Sequence, residues 1–297
     1  MQRSPARLPK TRGAREHPSL TPSKLEMLEL LVRYRYLTPG LLARAYGARQ
    51  ARGGKGLSYV RHQLANLLRR GYVRRFYHAT RPSGHGSDQR VYTVSPEGAA
   101  FVLEPETMEK HRYAIYNRAK HKVNYGHHLA LSTLQLIFDL GEGRTWTVED
   151  FLADHEPGTR LQVKVRGEGS TTLYPDATLV LGFSGGRRAR YHFELDLARK
   201  NLTRIRERFR AYAAFHAAQS PAEDEQLFTV FVAPNRVERK RVLEEANRTL
   251  GETDDPPFLF WNMERWYADG ALRRPHEILA EGQVADLSGT SRRIVPA

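Results

Sequence analysis

The sequence contains no cysteine. That excludes disulfides, thiol nucleophiles and every zinc site built on thiolates, so any metal would be held by oxygen or imidazole, and it suits a reducing compartment. Long apolar runs are also missing: nothing approaches the ~18 consecutive residues of a membrane span, and the basic amino terminus is not followed by an apolar signal core. The expectation is a cytoplasmic protein with no membrane partner. Acidic residues are scarce at one end only. Residues 1–126 hold 8 Asp or Glu against 24 Lys or Arg, whereas residues 127–297 hold 25 against 23. The net charge of +14 is therefore carried entirely by the first portion. A basic surface attracts any polyanion, so pattern must decide which one.

What is present fits two folded units: 297 residues, 40% hydrophobic and 27% charged, with no internal repeat. Residues 1–20 are cationic and poor in apolar side chains and read as a disordered basic arm. From Thr21, Leu25, Leu28, Leu31 and Val32 recur at helical spacing behind a capping Thr and Pro22. A second helix starts at Thr38-Pro39 and ends at Tyr46-Gly47. A third runs from Ser58 to Arg70, with Val60, Leu64, Leu67 and Leu68 inward and Gly71 as its stop. Strand-like runs at 72–78 and 90–94 flank a polar loop holding Gly84 and Gly86. Three helices and a hairpin over residues 21–104 make a winged helix, and 105–123 read as a helical connector.

In a helix-turn-helix the third helix enters the major groove, so its outer face should be polar and cationic. Arg61, His62, Gln63 and Asn66 are placed for base edges, and Arg69 and Arg70 for phosphates. The hairpin adds Arg74, Arg75, Arg81 and Arg90. Double-stranded DNA is the expected partner. Charge that merely solvates a helical face, or a winged helix that binds protein, are the competing readings.

Residues 124–270 alternate helices and strands in the manner of a mixed-sheet α/β domain, and 271–297 read as a polar tail. The sharpest feature is Tyr174-Pro175-Asp176, expected within one strand (173–181), followed by Glu194-Leu195-Asp196 at the end of the next. With a side-chain period of two, Glu194 and Asp196 share a face and Asp176 can join them from the neighbouring strand. Such a cluster repels itself unless it holds a cation, which points to Mg²⁺ or Mn²⁺. Lys200 could meet a phosphate. Solvated acidic strand ends are the plain alternative. His127 and His128 read as structural, and Trp146, Trp261 and Trp266 as core aromatics.

The order helix, strand, Pro-Asp hairpin, Glu-x-Asp, helix, strand resembles the PD-(D/E)XK, restriction-endonuclease-like fold. A winged helix followed by Pro175-Asp176-Ala177, Phe193-Glu194-Leu195-Asp196 and a charged helix leading to Tyr212 is more closely similar to the replication-relaxation family of plasmid and mobile-element proteins. Gly126-His127-His128-Leu129, Trp146 and Glu149 fit that family's upstream pattern. The resemblance spans roughly residues 20–262 and extends to plasmid mobilisation relaxases of the C class. It implies Asp176 and Glu194 as metal ligands and catalytic groups, with Asp196 standing where the nuclease pattern has lysine, so that Lys200 substitutes or cleavage is lost. The resulting expectation is a DNA-binding protein of replication or mobilisation whose second domain nicks or engages DNA with Mg²⁺ or Mn²⁺. The alternative is a non-catalytic regulator whose second domain serves dimerisation or partner binding. No small-molecule cofactor is implied.

Overall fold

A computed structural model describes residues 20–49, 56–77, 90–108, 125–141, 146–153, 160–165, 169–195, 202–219, 224–251, 256–268, 271–274, 277–279 and 283–293. The chain divides into two units, with the boundary between Leu136 and Ile137. Arg81, Asp196, Lys200, most of the expected basic arm and most of the expected connector lie outside the described residues.

The first unit begins with α1 (Pro22–Tyr34), α2 (Pro39–Arg49) and α3 (Leu57–Arg69), followed by the antiparallel pair β1 (Val73–Tyr77) and β2 (Arg90–Val94) and the short α4 (Pro96–Ala99). Met27, Leu28, Leu30, Leu31 and Tyr34 form the buried stripe of α1. That stripe is turned from the one expected, since Leu25 and Val32 are only half-buried. Thr21 occupies the cap position but its side chain makes no capping bond; its carbonyl oxygen accepts from the N–H groups of Lys24 and Leu25 instead. Helix α2 continues through Gly47 to Arg49, one glycine being too small a penalty to end it.

Leu37, in the link from α1 to α2, exchanges two backbone hydrogen bonds with Tyr92 and so adds a one-residue third rung to the strand pair. Ser95 then locks the end of the hairpin. Its hydroxyl donates to the Gly71 carbonyl at 2.7 Å and accepts from the Gly98 N–H at 3.1 Å, capping α4. In the first half of α5 (Tyr125–Gly141), Ser132 donates to the carbonyl of Tyr34, and the His128 ring lies 5.3 Å from that of Tyr36.

The second unit is built on a seven-stranded mixed sheet. Its strands are β3 (Trp146–Ala153), β6 (Ala177–Phe183), β7 (Arg188–Leu195), β8 (Glu225–Ala233), β9 (Phe258–Asn262), β12 (Gln283–Ala285) and β13 (Ser291–Arg293), in the spatial order β13-β12-β9-β8-β7-β6-β3. β7, β8 and β9 are parallel to one another and the remaining pairs antiparallel. Separate two-stranded pairs are formed by β4 (Leu161–Val165) with β5 (Gly169–Leu173), and by β10 (Tyr267–Ala268) with β11 (Ala271–Leu272). Two of the strands come from the segment expected as a polar tail; Ala285 pairs with Phe260 and is buried.

Helices α6 (Leu202–Ala218) and α7 (Arg236–Leu250) bury Ile205, Phe209, Phe215, Val242 and Ala246 with Phe231, Phe258 and Phe260 of the sheet. The strand alternation sends Phe193 the other way, to Phe138 on the second half of α5. Trp261 and Trp266 are buried as a T-shaped pair with centroids 5.1 Å apart, in keeping with their reading as core aromatics.

The single strand expected over 173–181 is interrupted. β5 ends at Leu173, β6 starts at Ala177, and Tyr174-Pro175-Asp176 lie between them. Pro175 has no N–H to give a ladder, which is the physical reason for the break.

Gly98 tests the tightness of the first unit. A Cβ at this position would collide with the backbone carbonyl of Tyr72, which cannot retreat because it accepts the Ser95 N–H. Gly98→Ala is expected to lower the stability of the first unit by about 1–3 kcal/mol in a denaturant titration.

Candidate nucleic-acid interface and carboxylate site

The first unit presents a groove of about 410 Å³ lined by Arg61, Ala65, Leu68 and Arg69 of α3, Arg75 and Arg90 of the strand pair, Tyr92 and Pro39. Four guanidinium groups over a partly apolar floor make this a cationic concavity. Its construction is local. Residues 61, 65, 68 and 69 share one helical face, while β1 and β2 bring Arg75 opposite Tyr92 and leave Arg90 at the hairpin's outer end. Leu68, expected in the core, lines this groove half-buried.

The strand period separates Arg74 from Arg75. Arg75 lines the groove, its guanidinium 5.3 Å from the Tyr77 ring centroid, whereas Arg74 acts on Glu97 of α4. The Glu97 carboxyl is held below its ordinary range, first by its backbone hydrogen bond, then by Ser95 and more weakly by Arg74. His62 and Arg70 are exposed on α3 outside the groove lining, and Asn66 is half-buried. Gln63 is half-buried too, and its Oε1 is buried without a hydrogen-bond partner among the described residues.

In the second unit, Asp176 and Glu194 come together as expected, on a construction the sequence reading did not contain. The backbone N–H of Asp176 donates to the Phe193 carbonyl at 2.8 Å, and its Oδ2 accepts the Leu195 N–H at 2.7 Å. The Asp176 carboxylate thus supplies the acceptor for β7 at the point where Pro175 interrupts the strand. Glu194 projects from β7 toward α6 and is completely buried. Its Oε1 accepts from Arg208 Nη1 and, at 2.8 Å, from the hydroxyl of Tyr212, which is itself fully buried.

Burial opposes the charge on Arg208, but Glu194 first, with Tyr212 and Asp176 behind it, more than compensates and raises the guanidinium above its ordinary pKa. Burial, reinforced by Glu194, pushes the Tyr212 phenol well above its usual value, so it stays a proton donor.

The same helix carries a third polar residue at a spacing of four: Arg208, Tyr212 and His216 form a stripe along α6. His216 Nε2 lies 2.9 Å from Thr229 Oγ1 on β8, and His192 Nδ1 lies 3.0 Å from Thr178 Oγ1 on β6. His192 and Glu194 sit two residues apart on the same face of β7. The i, i+4, i+8 spacing is the signal that could reveal this seam from sequence. Arg206 of the same helix pairs with buried Glu245.

As donors, carboxylate oxygens are the right chemical type for Mg²⁺ or Mn²⁺. As arranged, part of that donor set is already taken: Oε1 of Glu194 receives two donors, and Oδ2 of Asp176 receives a backbone N–H. Among the described residues no group of three His, Asp or Glu side chains is placed to hold a metal ion.

Two measurements check this seam. Tyr212→Phe removes a hydrogen bond to a buried carboxylate and should lower stability by about 1.5–3 kcal/mol in chemical denaturation. Burial, with Arg190 and His216 nearby, depresses His192 to about 3, and burial depresses His216 to about 4, both below the ordinary 6.5. Below pH 6.5 the unfolded chain therefore binds more protons than the folded one. Stability present above pH 6.5 should fall as pH drops through 6.5 toward 4, by up to about 1.4 kcal/mol per pH unit for His192 alone, and His192→Gln should flatten that slope.

The sequence pattern that defines the replication-relaxation family matches residues 28–231, reaching from α1 to the middle of β8 and so including the arginine groove, Asp176, Glu194, Arg208 and Tyr212. No curated protein matches the chain significantly. With well over half of its length matched, including most of both units, the chain belongs to the replication-relaxation family.

Proposed function

We propose that this protein binds double-stranded DNA through a winged helix and acts in the replication or mobilisation of a plasmid or other mobile element. The observation that carries the reading is the groove shared by α3 and the strand pair, with Arg61, Arg69, Arg75 and Arg90 around it. Helix α3 corresponds to the recognition helix of a helix-turn-helix, and β1 and β2 to the wing. A duplex offers a dense row of phosphates to such a surface, and Arg recognises phosphate through paired N–H donors. Concentration of the chain's net positive charge in residues 1–126 supports the same partner. Family membership supports the setting in replication or mobilisation.

For the second unit, read as a nuclease-like domain, two roles compete. In one, Asp176 and Glu194, with Asp196 and Lys200, nick DNA with Mg²⁺ or Mn²⁺. In the other, the domain is non-catalytic and serves partner binding or dimerisation. The engagement of Glu194 by Arg208 and Tyr212 favours the second role. Supercoiled plasmid incubated with the protein and Mn²⁺ should then remain supercoiled; nicking that disappears in Asp176→Ala and Glu194→Ala would restore the first role.

For the winged helix, the test is a duplex-binding titration across salt concentrations. Replacing Arg69, Arg75 and Arg90 by Ala, one at a time, should weaken binding and reduce the slope of log K against log salt by roughly one per phosphate contact. Arg61→Ala with Asn66→Ala should weaken binding as well. Unchanged affinity in all of these variants would remove the groove from the contact surface.

A further inference from the structure

We propose that Arg208 is the resident cation of the carboxylate site: its guanidinium, with the Tyr212 hydroxyl, occupies Oε1 of Glu194 and supplies the compensating charge, so the native protein keeps the Asp176–Glu194 pair without a divalent ion. This extends the non-catalytic reading of the second unit and is independent of DNA binding by the first.

A fully buried carboxylate needs a compensating charge and hydrogen-bond donors. Metal-dependent nucleases meet that need with a divalent ion, which requires carboxylate lone pairs directed at it. Here Oε1 of Glu194 receives two donors from the same helix. Tyr212 is fully buried, and Arg208 is 29% exposed. Arg208 and Tyr212 stand one helical turn apart on α6, between Ile205, Phe209 and Phe215, all buried. The helix that closes the aromatic core therefore delivers the guanidinium.

Tyr212 donates its hydroxyl proton to Oε1 of Glu194 and so takes a lone pair that a metal ion would need. A divalent ion added beside Asp176 and Glu194 would also stand next to the Arg208 guanidinium, a like-charge approach in a poorly hydrated site. Asp176 contributes structurally, holding the Leu195 N–H at 2.7 Å while adding its field to Arg208.

The expected behaviour is specific. Titration of the full-length protein with Mn²⁺, followed by electron paramagnetic resonance of the free ion, should show no binding that depends on Asp176 or Glu194. One Mn²⁺ bound per chain and lost in Glu194→Gln or Asp176→Asn would overturn the proposal; binding that survives both substitutions lies elsewhere and agrees with it.

Thermal unfolding supplies the second readout. Arg208→Met leaves Glu194 buried without its counter-ion and should lower the midpoint by roughly 5–15 °C. Adding Glu194→Gln to Arg208→Met should recover most of the loss. Should Arg208→Met fail to fold, soluble, cooperatively unfolding Glu194→Gln/Arg208→Met protein supports the proposal, and a double variant that is equally unfolded contradicts it. An unchanged midpoint in Arg208→Met would also contradict it. Duplex binding enters none of these readouts, so failure of the groove assignment and failure of this one are separable.

Discussion

Burial of the Glu194 carboxylate is the constraint around which the second unit is arranged. The residue lies at the end of β7, a strand paired on both sides, and the strand's alternation sends it into the space between sheet and α6. Hydrocarbon neighbours alone would make that position untenable for a charge. The helix answers with Arg208 and Tyr212, one turn apart, and continues the polar seam with His216. Around that seam the contacts are aromatic: Phe209, Phe231, Phe258 and Phe260 meet with centroids between 4.8 and 6.4 Å. Removing either charge would leave the other stranded, which is why such pairs persist once built.

The first unit solves a different problem with the same means. Its apolar residues go to a small core under three helices and a strand pair, and the arginines of α3 and the strand pair are exposed. The groove between α3 and the strands concentrates four of them, with no acidic side chain in its lining among the described residues. A surface of this kind holds potential energy that a polyanion releases, and its affinity should be governed by salt. The two units thus treat charge oppositely, one displaying it and the other sealing it in.

Much of this was legible in the sequence. The bounds of helix α3 and strand β2 follow closely from apolar periodicity bounded by Gly, Pro and polar residues. The approach of Asp176 to Glu194 was also legible, since two strands and a period of two allow few alternatives. Other features depended on partners far along the chain. Nothing near Leu37 announces its pairing with Tyr92, and the strands at 283–285 and 291–293 are too short and too polar to stand out before the sheet edge is known. Leu68 was assigned to the core because a leucine on an otherwise apolar face usually goes there, yet the groove uses its flank as a floor. The role of Arg208 was hidden for a physical reason: among four arginines on one helix, only the register of that helix against β7 decides which one meets the carboxylate.

The most direct measurement is a crystal structure of the full-length protein grown with millimolar Mn²⁺ and recorded at a wavelength where manganese scatters anomalously. A resident-cation site predicts no anomalous peak between Asp176 and Glu194, with the Arg208 guanidinium and the Tyr212 hydroxyl both on the Glu194 carboxylate. A manganese ion bridging Asp176 and Glu194, with Arg208 displaced from them, would contradict it.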